Sequence, residues 1–464
     1  MPLILGANSA SGGYNVTNSL RFNSGSSDYL SKTFGSASNR QIFTISFWVK
    51  RGNISSTQGL VLNGENSGNN DLAIYFESSD KMNIFSWSSS SLQFQLVPTQ
   101  VFRDVSAWYH MVLSVDTTQA TSSNRVKFYI NGSQVTALDT ATYPAQNANL
   151  EYNTTRPLWI GRSYGGHYLN GYISEFNSID GQQLTPSSFG ETDFDTGIWK
   201  PKAFSGTYGT NGFYLQFKNS ASLGTDSSGN GNTFTVNNLT SVDQSTDTPT
   251  NNFATLNALE NSYSGLTLSE GNLKGVTTNA YYSFVRSTIG VSKGKWYMEV
   301  KCTAQSASEN KWQFGISDAS PTSSTSYLGN FSLSYGWRGE GNTIFFNGTS
   351  ASYGTEGGMS TGMIVGIALD LDNSKIYWSR NGTWKNSADP ATNTNGFGFT
   401  PTSGFYHFAF GELDGDYNYT YETNFGNPPY SANSYTDGAG FGNFSYAVPS
   451  GYFALCTKNL ADYG

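Results

Sequence analysis

The chain has 464 residues, of which 37% are hydrophobic, 15% aromatic and only 12% charged, with 51 glycines and 13 prolines. Against 33 acidic residues stand 25 lysines and arginines, a net charge of −8, which excludes an electrostatic nucleic-acid binder and a charged disordered tail. Ser, Thr, Asn and Gly must supply the polar surface, and they favour turns and strands over helix interiors, so helical and coiled-coil classes are disfavoured and the length predicts two or three β domains.

Residues 1–6 hold a brief apolar run with no basic residue before it, too short and too neutral to read as a signal peptide. No apolar stretch reaches the roughly 18 residues needed to span a bilayer, so membrane insertion is not expected. Residues 1–17 lack a core pattern and read as an N-terminal docking arm. From residue 18 period-two alternation sets in: Phe43, Ile45, Phe47 and Val49 alternate with Thr44, Ser46 and Trp48, and Val126, Phe128 and Ile130 alternate with Lys127 and Tyr129. Such runs predict half-buried antiparallel strands. Asn131-Gly132, Asn347-Gly348 and Asn381-Gly382 each follow a strand-like run and predict type I′ hairpins.

The strand-rich stretch 18–218 predicts one β-sandwich, with Gly212-Phe213-Tyr214-Leu215-Gln216-Phe217 as a strand that closes it. Residues 219–254 are rich in Ser, Thr, Asn, Gly and Asp and read as a polar connector. A second sandwich is expected over 255–427, followed by a 428–464 extension that regains a strand at Gly451 to Thr457. The predicted fold class is all-β, two antiparallel β-sandwiches.

Chemistry-bearing patterns are sparse. Cys302 ends the run Trp296-Tyr297-Met298-Glu299-Val300-Lys301-Cys302, whose Trp296, Met298, Val300 and Cys302 share the apolar face; it reads as a buried free thiol, with a bridge to Cys456 as the alternative. Glu191-Thr192-Asp193-Phe194-Asp195 is the nearest approach to the carboxylate pair of a glycoside hydrolase, but it follows Pro186-Ser187-Ser188, precedes Gly197 and reads as a solvated turn. The histidines His110, His167 and His407 lie in separate contexts without a Gly-x-Ser-x-Gly elbow and read as structural. Clustered oxygens of the kind calcium accepts occur in Asp226-Ser227-Ser228-Gly229-Asn230-Gly231-Asn232 and in Glu412-Leu413-Asp414-Gly415-Asp416, where Asp414 and Asp416 are the candidate ligands. Neither has EF-hand spacing, and Asx/Gly turns give the same pattern without metal. Most aromatics must be core. Tyr335, Trp337 and Arg338, and Trp378, Arg380 and Trp384 around the Asn381-Gly382 turn, are the candidate binding residues, flat faces beside polar loops that suit a sugar ring or a protein partner.

Two segments carry family resemblances. Ser19-Leu20-Arg21-Phe22-Asn23, Phe43 to Lys50, Trp108-Tyr109-His110-Met111-Val112, Phe128-Tyr129-Ile130-Asn131-Gly132, Trp159-Ile160-Gly161 and Leu169 to Phe176 together resemble the concanavalin A-like (LamG-like) jelly rolls. The resemblance implies two face-to-face antiparallel sheets with variable rim loops. Gly294-Lys295-Trp296-Tyr297-Met298-Glu299-Val300, Phe314-Gly315-Ile316-Ser317, Tyr335-Gly336-Trp337, Gly362 to Asp370 running on to Asn381-Gly382, and Asn424-Phe425-Gly426 resemble a SPRY domain. That likeness implies a binding module for peptides or proteins, without catalytic machinery.

The pairing of these two modules, the opening arm, the Asp226 to Asn232 joint and the closing Ala447-Val448-Pro449-Ser450-Gly451-Tyr452 resemble tailed-bacteriophage virion proteins. What this implies is a non-enzymatic structural protein of the particle, made in the host cytoplasm and located in the virion. Its partners would be other virion proteins and a host-surface glycan or protein, with a homotrimer as the natural assembly and many weak contacts acting by avidity. A capsid-decoration or tail protein that binds only virion subunits, and a glycan depolymerase, are the alternative readings.

Overall fold

The computed structural model describes residues 13–65, 68–260, 265–277, 282–305, 311–321, 326–412 and 418–464. Two compact units emerge, Ala10–Thr250 and one that holds Asn251–Gly464. Both are antiparallel β-sandwiches, as the alternation predicts.

In the first unit, one sheet runs in the order Ser133–Gln134, Val126–Ile130, Trp108–Asp116, Ile42–Arg51, Gly171–Asp180, Ser19–Phe22, Gln244–Ser245, with Phe213–Leu215 paired to Gly171–Asp180. The second runs Leu138–Thr142, Ser91–Pro98, Met82–Ser88, Asp71–Phe76, Gln58–Gly64, Leu158–Ile160, Tyr29–Lys32, Thr235–Asn237. Phe43, Ile45, Phe47 and Val49 enter the core between the sheets with Ile74, Ile84, Phe176 and Phe213. Phe176 stacks on both Phe47 and Phe213, at 5.2 and 5.6 Å between ring centroids.

The central strand Ile42–Arg51 is not half-buried as its alternation predicts. Its other face is covered too, with Trp48 and Lys50 only 4% and 1% exposed. The cover is the irregular segment after Asp180: the Thr44 hydroxyl donates to the Gln182 carbonyl and accepts from Leu184 N–H, while Ile179, Val112 and Phe189 form a small outer cluster.

Residues 219–250 are not a connector. Leu223, Phe234 and Leu239 reach the core, Thr235–Asn237 adds an edge strand beside Tyr29–Lys32, and Gln244–Ser245 adds one beside Ser19–Phe22. An edge strand needs few apolar residues, which is why a Ser/Thr/Asn-rich stretch can close a sandwich. The seal is a buried ion pair, Lys50 Nζ to Asp247 at 2.8 Å, with the Trp108 indole N–H donating to the same carboxylate at 3.0 Å. The described part of the expected N-terminal arm also belongs to this unit, since Val16 is buried and its N–H donates to Thr250.

The second unit pairs a nine-stranded sheet, centred on Lys295–Gln305 and Ile364–Asp370, with a six-stranded sheet centred on Trp312–Ser317 and Ser334–Arg338. Trp296, Met298, Val300 and Cys302 face the core with Trp312, Phe314 and Ile316. On the outer face Tyr297, Ala368 and Tyr377 are covered by Phe444, Tyr452, Ala454 and Cys456 of the closing segment. The strand expected over Gly451 to Thr457 shrinks to Phe453–Ala454, which pairs in parallel with Lys295–Gln305, and a short helix, Thr457–Tyr463, follows it. Cys302 and Cys456 are both buried and free, so the bridging alternative does not hold.

All three Asn-Gly turns have positive φ at both residues, as type I′ geometry requires. In each, the asparagine side chain also accepts the N–H of a residue on, or just before, the neighbouring strand: His110, Leu333 and Ile364 donate to Asn131, Asn347 and Asn381 at 2.7–2.9 Å.

If residues 219–250 seal the first sandwich, Asp247→Asn leaves Lys50 buried without its anion and should cost about 3–5 kcal/mol of unfolding free energy. Urea unfolding followed by tryptophan fluorescence measures this, and an unchanged midpoint would return the segment to the role of a tether.

Candidate functional site

The six binding residues expected in the second unit do not form a surface. Tyr335, Trp337 and Trp378 are 1%, 0% and 0% exposed and belong to the sandwich core. Their polar tips are engaged internally: the Trp337 indole donates to the Gly341 carbonyl and that of Trp378 to the Phe314 carbonyl, while the Tyr335 hydroxyl accepts from Thr400 N–H. Their position near turns gave the wrong inference because strand phase, not distance from a turn, decides which face a side chain takes. Trp384 is half-buried in a different cluster, edge-on to Tyr297 and Tyr377. Arg338 pairs with Glu340, and Arg380 stays partly exposed at a strand end. Asp414 and Asp416, the candidate calcium ligands, lie outside the described residues.

A site does form in the first unit, on the outer face of its second sheet. There the short hairpin Arg162–Ser163/His167–Tyr168 lies against strand Gln58–Gly64. The approach is so close that a Cβ at Gly59 would sit 2.0 Å from the Ser163 nitrogen, so only glycine permits it. Between this hairpin and the neighbouring strands is a cleft of ≈ 350 Å³.

Tyr75 and Phe85 wall the cleft from adjacent strands, edge to face at 5.9 Å, and Tyr164, 43% exposed, stands at the hairpin tip. Glu77, Ser79, Thr57 and the exposed His167 supply polar groups. Glu77 is already oriented, accepting from the Asn83 amide at 2.7 Å and the Ser79 hydroxyl at 3.0 Å. Burial, and then the charge of Glu77, push the Tyr75 phenol up to about 12, which keeps it a neutral hydrogen-bond donor. Sequence reasoning missed this site because its lining comes from four separate segments; the one local signal is Tyr164-Gly165-Gly166-His167, an aromatic and an imidazole flanking two flexible glycines.

The other chemistry-bearing patterns serve the fold. Asp193 sits in a turn, where Lys200 at 3.0 Å and the Thr196 hydroxyl hold its carboxyl at about 2; Glu191 lies on the adjoining hairpin strand and Asp195 in the turn. Asp226 accepts from the N–H groups of Tyr214, Ser228 and Asn232 and from the Ser228 hydroxyl, which occupies its carboxylate with donors from its own loop and from strand Phe213–Leu215. Among the described residues no group of three or more His, Cys, Asp or Glu could hold a metal ion. His110 is buried between Trp48 and Trp199, stacked at 4.8 and 5.9 Å. The Trp199 indole donates to its Nδ1, so the proton sits on Nε2 and is shared with the Ser46 hydroxyl.

Residues 24–188 match the Laminin_G_3 family, the concanavalin A-like lectin/glucanases superfamily, and residues 295–413 match the SPRY domain. The chain thus carries a LamG-like sandwich followed by a SPRY domain. Among solved structures it is similar to the SPRY domain of human HERC1, at 10% identity over 36% of this chain and 96% of that one, with a TM-score of 0.30. It is similar also to the TRIM65 PSpry domain (16% identity, 37% and 91%, TM-score 0.28) and to a human SPRY domain (12%, 34% and 94%, TM-score 0.27). No curated protein matches the chain.

Burial holds His110 neutral, with its pKa lowered from 6.5 to about 3. As pH falls below 6.5 the unfolded chain takes up a proton that the folded protein refuses, so stability is lost on acidification across that window. Between pH 7 and pH 4 this amounts to about 3 kcal/mol. The variant His110→Phe, which keeps the stack, should lose correspondingly less over the same interval in urea titrations; parallel losses would disconnect His110 from the acid sensitivity.

Proposed function

We propose that this protein is a non-catalytic binding protein of a tailed-bacteriophage particle, holding saccharides of the host surface in the cleft of its LamG-like sandwich. The cleft carries the saccharide reading. Its aromatic walls suit the C–H faces of sugar rings, and a few fixed polar groups set their orientation. Glu77 is the single carboxylate among the residues lining it, whereas glycoside hydrolysis requires two flanking the bond; this supports binding over depolymerisation. The phage setting rests on the order of the two modules and their flanking segments in the sequence. Display in many copies on one particle would let low-affinity sites attach it by avidity.

A glycan-binding screen of the intact chain tests this reading. Tyr164→Ala and Glu77→Gln should each weaken saccharide binding about tenfold, the loss of one stacking face or one oriented acceptor, with an unchanged melting temperature. Particles lacking the protein should adsorb poorly to host cells. Normal adsorption would overturn attachment and favour a decoration or tail protein that binds virion subunits, and oligosaccharide release from host polysaccharide would favour the depolymerase.

A further inference from the structure

The hairpin that walls the cleft has a second flank. Ser163 and His167 are register partners and line the cleft; Arg162 and Tyr168 form the other register pair. The Arg162 guanidinium lies 4.1 Å from the ring centroid of Trp159, 5.2 Å from that of Tyr29 and 5.5 Å from that of Tyr168. Tyr29 in turn meets Trp159 at 6.4 Å, edge to face, and Tyr168 at 6.0 Å. All four side chains are half-buried.

What sets this arginine apart is that no acceptor meets its guanidinium among the described residues. The other six arginines of the first unit, Arg21, Arg40, Arg51, Arg103, Arg125 and Arg156, each donate to a carboxylate or a carbonyl. The Arg162 guanidinium lies instead against aromatic faces, and its Nε, like those of Arg21 and Arg51, is buried with no hydrogen-bond partner. Aromatic rings stabilise the cation through their faces but take none of its five N–H donors. A planar fork of donors left open beside three aromatic surfaces matches a carboxylate or sulfate group carried on a ring.

We infer that Arg162, with Trp159, Tyr29 and Tyr168, forms a second subsite that binds the acid group of an acidic saccharide, a uronic acid or a sulfated sugar. This deepens the saccharide reading of the cleft and rests on it. Because adjacent residues of one hairpin serve the two places, one oligosaccharide spans both, with a ring in the cleft and its charged neighbour at Arg162.

The test titrates the full chain with a galacturonic acid trisaccharide, its neutral galactose counterpart and a sulfated galactose trisaccharide, by calorimetry and by tryptophan fluorescence with Trp159→Phe as the control. The wild type should prefer an acidic ligand about tenfold, the acid preference falling with added salt. In Arg162→Met that preference should vanish while neutral binding persists; the carboxylate and sulfate arms identify which acid group is held. Equal affinity for neutral and acidic ligands, or an acid preference that survives Arg162→Met, overturns the subsite and leaves the saccharide reading standing. Absence of binding to all three, with no hit in the wider screen, overturns both. Should Arg162→Met unfold, Arg162→Lys decides: it keeps the cation but loses the fork, so a clearly reduced acid preference supports the subsite and an unchanged one refutes it.

Discussion

Buried carboxylates that gather several N–H groups hold the irregular parts of this protein to its sheets. Glu299, fully buried, accepts the backbone N–H groups of Ser445 and Tyr446 at 2.8 Å each, together with the Asn424 amide and the Tyr297 hydroxyl. Asp437 accepts from Ala439, Phe441 and Ala454 N–H and from the Asn459 amide. Asp180 ties Asn39, Asn153 and Asn211 together in the first unit, and Asp247 closes the same unit against Lys50. Desolvating a carboxylate costs several kcal/mol unless its lone pairs are filled, so each such residue is stable only when the whole segment around it is in place. At Glu299 burial still outweighs the four donors and raises the pKa. Irregular chain, normally the least ordered part of a β protein, is thereby made part of the cooperative fold.

This changes what the scarcity of charge means. With only 12% charged residues, a sparsely charged outer surface follows from composition alone. The positions of the acids sharpen the point, because several of the 33 lie inside, as hubs for backbone donors. In the first unit the consequence is spatial. The segment after Asp180 covers the outer face of one sheet, and the outer face of the other carries the hairpin 162–168, the cleft and the row of half-buried rings from Tyr29 and Trp159 to Tyr75 and Phe85.

Much of the fold was legible because its signals are local. Phe43, Ile45, Phe47 and Val49 point inward as alternation demands, the three Asn-Gly pairs are type I′ turns, and Phe213–Leu215 does close the first sandwich. What escaped the sequence depends on contacts distant along the chain. The role of residues 219–250 hangs on Lys50, Tyr29 and Ser19, some 200 residues earlier, and nothing in a run of Ser, Asn and Gly announces those partners. The misassigned aromatics did carry a readable clue. Tyr335 and Trp337 flank Gly336, as Ile376 and Trp378 flank Tyr377, and such i, i+2 pairs on strands buried on their inner face belong to the core.

The cleft shows the opposite balance between local and distant information. Tyr75 and Phe85 are fixed by the register of adjacent strands, which pairs Ala73 with Phe85 and Tyr75 with Asn83. Tyr164, His167 and Arg162 ride instead on a hairpin of two residues per strand, with Gly165 and Gly166 both at positive φ in its turn. So short a ladder cannot fix its own position; the contact over Gly59 does. Any side chain at Gly59 must lift the hairpin from the strand and would displace the cleft wall and Arg162 together. Cleft and arginine are therefore set by one backbone contact, while the side chains at the hairpin tip remain free to vary without disturbing the sandwich beneath.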